Sequence, residues 1–273
     1  MKTRETNPAT LPVTAVIPSG NEERQIRGAI ESLLWAEELL IVLDAAATDS
    51  TAAVAASVDP RVRIVIHEYG YSAAQKNYAI PLAKHPWVFL LDADERVTPE
   101  LEEEIRALFN GGEPDSDAYW IKRRNILFGR VMRHGGQQTD KVIRLFRREC
   151  RYQDRRVHAE VEGWGSIGHL KHHLLHNTFH GWSQYLDKLD RYTTWGAEQD
   201  FKDGKRSGFI HVVLRPVGRL FKQYFIRLGF LDGIPGAIST FFGVFGVFLK
   251  YAKLWDMARI SKNRLDTRDG KAP

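Results

Sequence analysis

Two aspartates one residue apart close an apolar run in Phe89-Leu-Leu-Asp-Ala-Asp-Glu-Arg96. Extended backbone alternates its side chains, so Asp92 and Asp94 point to the same side and can share one hard cation. Oxygen donors of this kind suit Mg²⁺ or Mn²⁺, ions that bridge readily to a diphosphate. Alone, an Asp-x-Asp triplet is usually a solvated loop. At the tip of a buried strand it lies at the carboxyl edge of a sheet, where open α/β sheets bind ligands. Asp44 follows the apolar run Leu39–Leu43 in the same way. An Asp there also serves as a turn or helix-cap residue, a role that suits Asp49 better. The first apolar run ends in Ile17-Pro-Ser-Gly-Asn-Glu22, giving three strand tips that can converge on one ligand.

A second group of chemically capable residues is His169, His172, His173, His176 and His180. The i, i+4 spacings of His172/His176 and His176/His180 would hold zinc if the segment were a helix. Gly168 and Gly181 bracket the run, Leu174-Leu175 fits a strand or turn equally well, and there is no H-E-x-x-H. Surface or packing histidines are therefore the preferred reading.

The elements that must position these residues alternate. Val13–Ile17, Leu39–Leu43, Val62–Ile66 and Trp87–Leu91 read as strands. Between them Glu22–Trp35, Thr48–Ser57 and Ala73–Lys84 read as helices, and another helix starts at Thr98-Pro99, where Thr caps and Pro takes the first helical position. Such alternation implies a parallel sheet covered by helices on both faces. After Gly111-Gly112 the pattern changes to strands at Ala118–Lys122, Lys141–Phe146 and Val157–Val161, then to helix from Trp182 to Lys202. The expected organisation is a catalytic-type α/β domain over 11–180, in halves of about 11–110 and 111–180, a helical, basic extension over 181–260, and a tail over 261–273.

The chain has 273 residues, 43% hydrophobic and 27% charged, the balance of a globular protein with ample core. One cysteine, Cys150, excludes a disulfide framework and points to a reducing, cytoplasmic setting. Met1–Thr10 is polar and lacks a secretory apolar region, so export is not expected. The net charge of +5 hides an asymmetry: −4 over residues 1–200 and +9 over 201–273. A basic, aromatic C-terminal segment favours an anionic partner. It carries no nucleic-acid-binding motif, so nucleic acid is not expected. Ile234–Leu249 is uncharged for 16 residues, short of the ~20 that span a bilayer. An amphipathic membrane-surface segment and a helix pair packed on the domain both fit.

The order Pro18…Asn21-Glu22, Asp44…Thr48-Asp49…Thr51, Gln75-Lys76-Asn77 and Leu91-Asp92-Ala93-Asp94-Glu95-Arg96 resembles family 2 glycosyltransferases of the GT-A fold. Within them it is most similar to bacterial lipopolysaccharide core β-glucosyltransferases. Gly129…His134-Gly135-Gly136, Arg144-Leu-Phe146, Val157-His158, Lys188…Arg191-Tyr192, Arg227…Gly236 and Lys250…Trp255 mark that subgroup. The resemblance covers roughly Leu11 to Trp255.

It implies a nucleotide-diphospho-sugar transferase with a mostly parallel Rossmann-like sheet and a helical C-terminal extension. Asp92 and Asp94 correspond to the metal-binding D-x-D, Asp94 nearest the Mg²⁺ or Mn²⁺ and Asp92 with Ala93 toward the ribose. Asp44 matches the acid that reads uracil or the nucleoside, aided by Pro18, Asn21 and Glu22. Lys76 and Asn77 match a basic-Asn pair near the nucleotide-sugar. Of the histidine group, His176 is the one expected near the donor phosphates and the metal. Acceptor contacts fall to Arg144 and His158. Where many relatives read Val-His-Glu this chain has Val157-His158-Ala159-Glu160, leaving the base open between Glu160 and His158. No Q-x-x-R-W signature of processive synthases is present, which implies transfer of a single sugar; the resemblance to this family implies inversion. The expected partners are a UDP-sugar, a glycolipid or polysaccharide acceptor and the inner membrane surface. Gly20 and Ala45-Ala46-Ala47 depart from the family pattern and motivate the alternative of a catalytically impaired binding or scaffold protein.

Overall fold

The computed structural model describes residues 10–156, 159–179 and 181–268. The chain forms two compact units, one from Met1–Arg124 with Thr139–Asn177, the other from Asn125–Gln138 with Thr178–Pro273. Its strands are β1 (Leu11–Ser19), β2 (Ala36–Asp44), β3 (Val62–His67), β4 (Trp87–Leu90), β5 (Glu95–Val97), β6 (Ala118–Leu127), β7 (Arg130–Val131), β8 (Lys141–Arg147), β9 (Arg151–Tyr152), β10 (Val161–Glu162) and β11 (Ile167–Asn177). Helices α1 (Ile26–Glu31), α2 (Thr51–Ala56), α3 (Ser72–Ala79) and α4 (Pro99–Phe109) lie among them.

In the first unit the main sheet runs β3-β2-β1-β4-β8-β6-β11-β5. The pairs β3–β2, β2–β1 and β1–β4 are parallel, whereas β4–β8, β8–β6 and β11–β5 are antiparallel. The sheet is thus parallel where strands alternate with helices and antiparallel beyond β4. Because the chain leaves β1 toward β2 and returns on its other side as β4, the order reverses between β1 and β4. That is a topological switch point, the place where such sheets leave a ligand crevice.

The central strands are buried on both faces. Val13, Ala15 and Ile17 of β1 join Leu39, Ile41, Trp87 and Phe89 in one core with Ile26, Ile30 and Leu33 around α1 and Leu101 and Ile105 of α4. Val16, Leu40, Val42, Val88 and Leu90 point the other way, against Ala73, Ala79 and Ile80. This period-two division of near-continuous apolar runs is what a strand covered on both sides requires. Helix α4 starts as its sequence dictates: the Thr98 side chain accepts from Leu101 N at 3.3 Å and Pro99 takes the first turn.

Several elements differ from the sequence expectation. The helix expected over 22–35 narrows to α1, because the chain turns after Glu31 to bring Trp35 under Phe89, ring centroids 5.3 Å apart. Pro81 ends α3 early and leaves a 3₁₀ turn at Ile80–Leu82. The strand expected over 157–161 is seen only as β10, Val157 and His158 lying outside the described residues. The histidine run is strand β11. Four residues of strand span about 13 Å, so His172 and His176 cannot share a zinc ion. His172 Nδ1 instead lies 2.9 Å from Glu104 Oε2, and His180 is outside the described residues.

The second unit is helical: α5 (Trp182–Lys202), a continuous helical stretch Ile210–Ile226 whose central turn is α6 (Arg215–Leu220), a 3₁₀ turn at Gly229–Asp232, and α7 (Gly233–Arg268). Lys250 and Lys253 of α7 pair with Asp200 and Asp190 of α5, each at 2.7 Å. Gly243 and Gly246 do not break α7, and Pro235 sits in its first turns, where the missing N–H costs nothing. The uncharged 16-residue stretch is therefore part of a longer helical segment, Gly229–Ser261, which is long and apolar enough to cross a membrane by length and composition, with 22% of its apolar window buried.

At the opposite end of the sheet from the strand tips, Glu38 is buried and accepts from Thr14 Oγ1 at 2.7 Å, Lys84 N at 2.7 Å and Arg63 Nη2 at 2.7 Å. Burial opposes its charge, but these donors outweigh it and lower its pKa. A carboxyl depressed in the folded state stabilises above its unfolded value, about 4.3, and loses that contribution as pH falls through the folded one. Glu38→Gln should cost about 1–3 kcal/mol at pH 7 and flatten the acid limb of the stability curve, measured by denaturant titration from pH 7 to 3.

Candidate active site at the strand tips

The parallel register sets Ser19 of β1 beside Leu43 of β2 and Val16 beside Leu90 of β4, so the segments that follow these strands emerge on one edge. After β1, Asn21 Oδ1 accepts from Thr48 N at 2.8 Å and Asp49 N at 3.2 Å. Glu22 N donates to Thr51 Oγ1 at 2.7 Å, and Thr51 Oγ1 in turn donates to Asp49 Oδ1 at 2.6 Å. The loop after β1 is thereby tied to the loop after β2. Asp44 closes β2 and accepts from Ala46 N at 3.0 Å and Tyr69 N at 3.3 Å. Pro18 lies within β1 beside Val42. Asp49 pins the loops together as a turn residue, accepting from Thr51 N and Glu23 N at 3.0 Å each, while Ser50 takes the N-cap position of α2.

The densest charge lies after β4. Asp92 Oδ1 is 2.9 Å from Lys76 Nζ, and Asp92 Oδ2 accepts from Arg144 Nη2. Arg144 also donates to Glu95 Oε1 at 2.7 Å, and Glu95 is fully buried. Arg123 continues the chain, 3.3 Å from Glu95 and bidentate on Asp140 at 2.9 and 3.0 Å. Five elements are joined here: α3 through Lys76, β4's tip through Asp92, β5 through Glu95, β8 through Arg144 and β6 through Arg123. Burial disfavours the Asp92 charge, yet Arg144 and then Lys76 hold its carboxyl well below the usual carboxylate range. Burial likewise disfavours charge on Arg144, but Asp92 and Glu95 raise its pKa well above the ordinary value. Both Asp92 oxygens are therefore already engaged by cations.

Asp94 lies in a different environment. Its Oδ2 is 3.6 Å from His176 Nε2, across the pairing of β5 with β11 that sets His176 beside Glu95. Its own carbonyl accepts from Asn177 N at 2.9 Å, and Ala93 O accepts from Arg96 Nη1 at 2.7 Å. A carboxylate oxygen and an imidazole nitrogen at this separation suit a divalent cation completed by substrate phosphates, which needs only one or two protein carboxylates. Among the described residues no group of three or more His, Cys, Asp or Glu converges as a self-sufficient metal cage.

The remaining expected residues fall in two sets. Asn77 exchanges two hydrogen bonds, each 2.8 Å, with the Tyr152 backbone, fixing β9 against α3. The Tyr152 ring lies 5.1 Å from Lys76 Nζ. Arg144, expected at the acceptor, is 2% exposed and faces carboxylates. Glu160 is exposed, and its side chain makes no hydrogen bond or ion pair among the described residues; its carbonyl accepts from Gln153 N at 2.9 Å. His158 is outside the described residues. Sequence reasoning gave no role to Glu95, Arg123, Asp140 or Tyr152. Glu95 alone had a signal, as the next acid in the Asp-Ala-Asp-Glu run.

Residues 14–166 match glycosyl transferase family 2. The lipopolysaccharide core biosynthesis glycosyltransferase LpsC of Rhizobium meliloti (strain 1021) is 31% identical over 257 residues, covering 90% of this chain and 92% of the relative. An uncharacterized glycosyltransferase, RC0292, of Rickettsia conorii (strain ATCC VR-613 / Malish 7) is 26% identical over 272 residues, covering 93% of each. The crystal structure of S. aureus TarS 1-349 in complex with UDP-GlcNAc is similar with a TM-score of 0.48 and 14% identity, covering 96% of this chain and 93% of that one. With the family matched over more than half its length, and a relative of that identity along nearly all of it, the chain belongs to glycosyl transferase family 2 and is a glycosyltransferase.

Proposed function

We propose that this glycosyltransferase moves one sugar from a UDP-sugar to a glycolipid of the lipopolysaccharide-core type, with inversion, at the cytoplasmic face of the inner membrane. The observation that carries the reading is the division of labour at the tip of β4. Asp92 is fixed in its ionised state by Lys76 and Arg144, while Asp94 is left facing His176. Asp94 and His176 would hold Mg²⁺ or Mn²⁺; bound there, the cation supplies positive charge against the diphosphate as it departs. This shifts the metal role expected of Asp92 onto its neighbours and leaves Asp92 to orient the ribose.

The chain's own residues do the rest. Asp44, between the Ala46 and Tyr69 amides, presents a carboxylate to the nucleoside, and the Asn21–Glu22 loop closes the other side. Lys76, one bond from Asp92, adds a second positive charge beside the diphosphate, where preorganised charge stabilises the leaving group. The acceptor alcohol is a poor nucleophile at neutral pH, so a group opposite the diphosphate must take its proton. Glu160 is the candidate with a described position, exposed and unencumbered, and His158 is the other. The acceptor class rests on the relation to LpsC, and the membrane on the apolar Gly229–Ser261 segment with its basic flank.

Two experiments test the reading. Titration calorimetry with UDP should show Mn²⁺-dependent binding that chelation abolishes and that Asp94→Asn or His176→Ala weakens by at least about 10–100-fold, the loss already seen when only the outer partners of metal ligands are removed. Absence of UDP binding in the wild type would favour the impaired scaffold instead. For the base, Glu160→Gln should lower kcat by about 10²–10⁴-fold with donor KM unchanged, measured as transfer from a radiolabelled UDP-sugar. The same loss in His158→Gln, with Glu160→Gln active, would move the base to His158.

A further inference from the structure

Two glycine-rich stretches, His134-Gly135-Gly136 and Arg227…Gly236, lie far apart in sequence and meet inside the second unit. The Asp232 carboxylate accepts from Arg133 N at 3.1 Å and His134 N at 2.8 Å, and lies 2.9 Å from His134 Nδ1. One ring nitrogen of His134 is thus committed to a carboxylate, which fixes the ring and leaves Nε2 to act. Gly135 N donates to Arg227 O at 2.8 Å. Gly135 and Gly136 have φ of +67° and +91°, and a Cβ on Gly136 would fall 2.3 Å from Arg227 Nη1. Only glycine lets the guanidinium lie against this loop.

Arg219 joins the same cluster, its Nε donating at 2.9 Å to Oε1 of Gln223, whose Cγ is 3.6 Å from the Cβ position of Gly135. Desolvation, and after it the Arg227 charge, push the Arg219 guanidinium below its ordinary value. Neither Arg219 nor Arg227 has a carboxylate within ion-pair distance among the described residues. The side chains around Arg227 are exposed and apolar: Phe225 51%, Ile226 76%, Leu228 43%, Phe230 43%, Leu231 54% and Ile234 76%. Guanidinium forks suit the several oxygens of a dianionic phosphate, and an apolar surround suits the acyl boundary of a bilayer.

We propose that His134, Arg219 and Arg227 form a binding site for a phosphomonoester borne by a membrane lipid, with the surrounding apolar side chains seated in the lipid surface. The inference rests on the membrane reading for the lipid, and on this cluster alone for the phosphate.

The test is cosedimentation of the full chain with phosphatidylcholine vesicles containing either phosphatidate or phosphatidylserine, adjusted to equal surface potential. The wild type should bind the phosphatidate vesicles about tenfold more tightly, the worth of one charge-assisted hydrogen bond beyond bulk attraction. Arg219→Gln with Arg227→Gln should abolish that preference, and Arg227→Lys, which keeps the charge without the fork, should reduce it. Lys202→Gln with Arg206→Gln, removing equal charge elsewhere in the unit, should preserve it. Equal binding of the wild type to both vesicles overturns the proposal, as does loss of preference in the control pair. Inorganic phosphate binding without any vesicle preference overturns the lipid as its source. Mn²⁺-dependent UDP binding, read on the same variants, should be unchanged, so failure of the donor reading and failure of this site are separable.

Discussion

A guanidinium buried as deeply as that of Arg144 is unfavourable unless carboxylates surround it, and this requirement organises the first unit. Arg144 comes from β8 in the antiparallel half of the sheet; Asp92 follows β4 of the parallel half, and Glu95 opens the edge strand β5. The pairing therefore fixes the tip of β4 against its neighbour and commits Asp92 to an ionised state. Removing one partner would leave a buried charge uncompensated, far more costly than the pair is stabilising. Lys76 and Arg123 extend the network to α3 and β6, so the D-x-D turn is braced from several sides before any substrate arrives.

That bracing separates two carboxylates that look equivalent in the sequence. Asp92 and Asp94 are both at a strand tip and one residue apart, yet one is saturated by cations and the other meets an imidazole. Equivalent chemistry is turned into distinct roles by what the fold places opposite each, as environment does elsewhere for carboxylate pairs. In the proposed reaction, preorganisation of this kind would meet charge on a departing diphosphate without rearranging the protein.

The parallel half of the sheet was legible because β1, β2 and β4 are near-continuous apolar runs closed by Pro, Gly or Asp, the pattern of strands buried on both faces. Asp44, Asp92 and Asp94 were legible for the same reason, being the first charges after those runs. The ion network was not: Arg144 is 52 residues from Asp92, and nothing local marks an arginine that will be buried. The histidine run misled in its spacing, because i, i+4 has meaning only on a helix and β11 is extended. His176 reaches Asp94 through strand pairing, a relation that no window of sequence displays. In the second unit, Asp232 and His134 lie 98 residues apart, so their two glycine-rich motifs could be noticed separately but not joined.

The account turns on the claim that the cation belongs to Asp94 and His176 while Asp92 stays with Arg144. Anomalous diffraction from crystals soaked with Mn²⁺ and UDP tests it directly. The predicted result is one manganese peak liganded by an Asp94 oxygen, His176 Nε2 and the diphosphate, with the Asp92–Arg144 pair intact. A peak liganded by Asp92 with Arg144 displaced, or UDP bound with no manganese at Asp94, would contradict it.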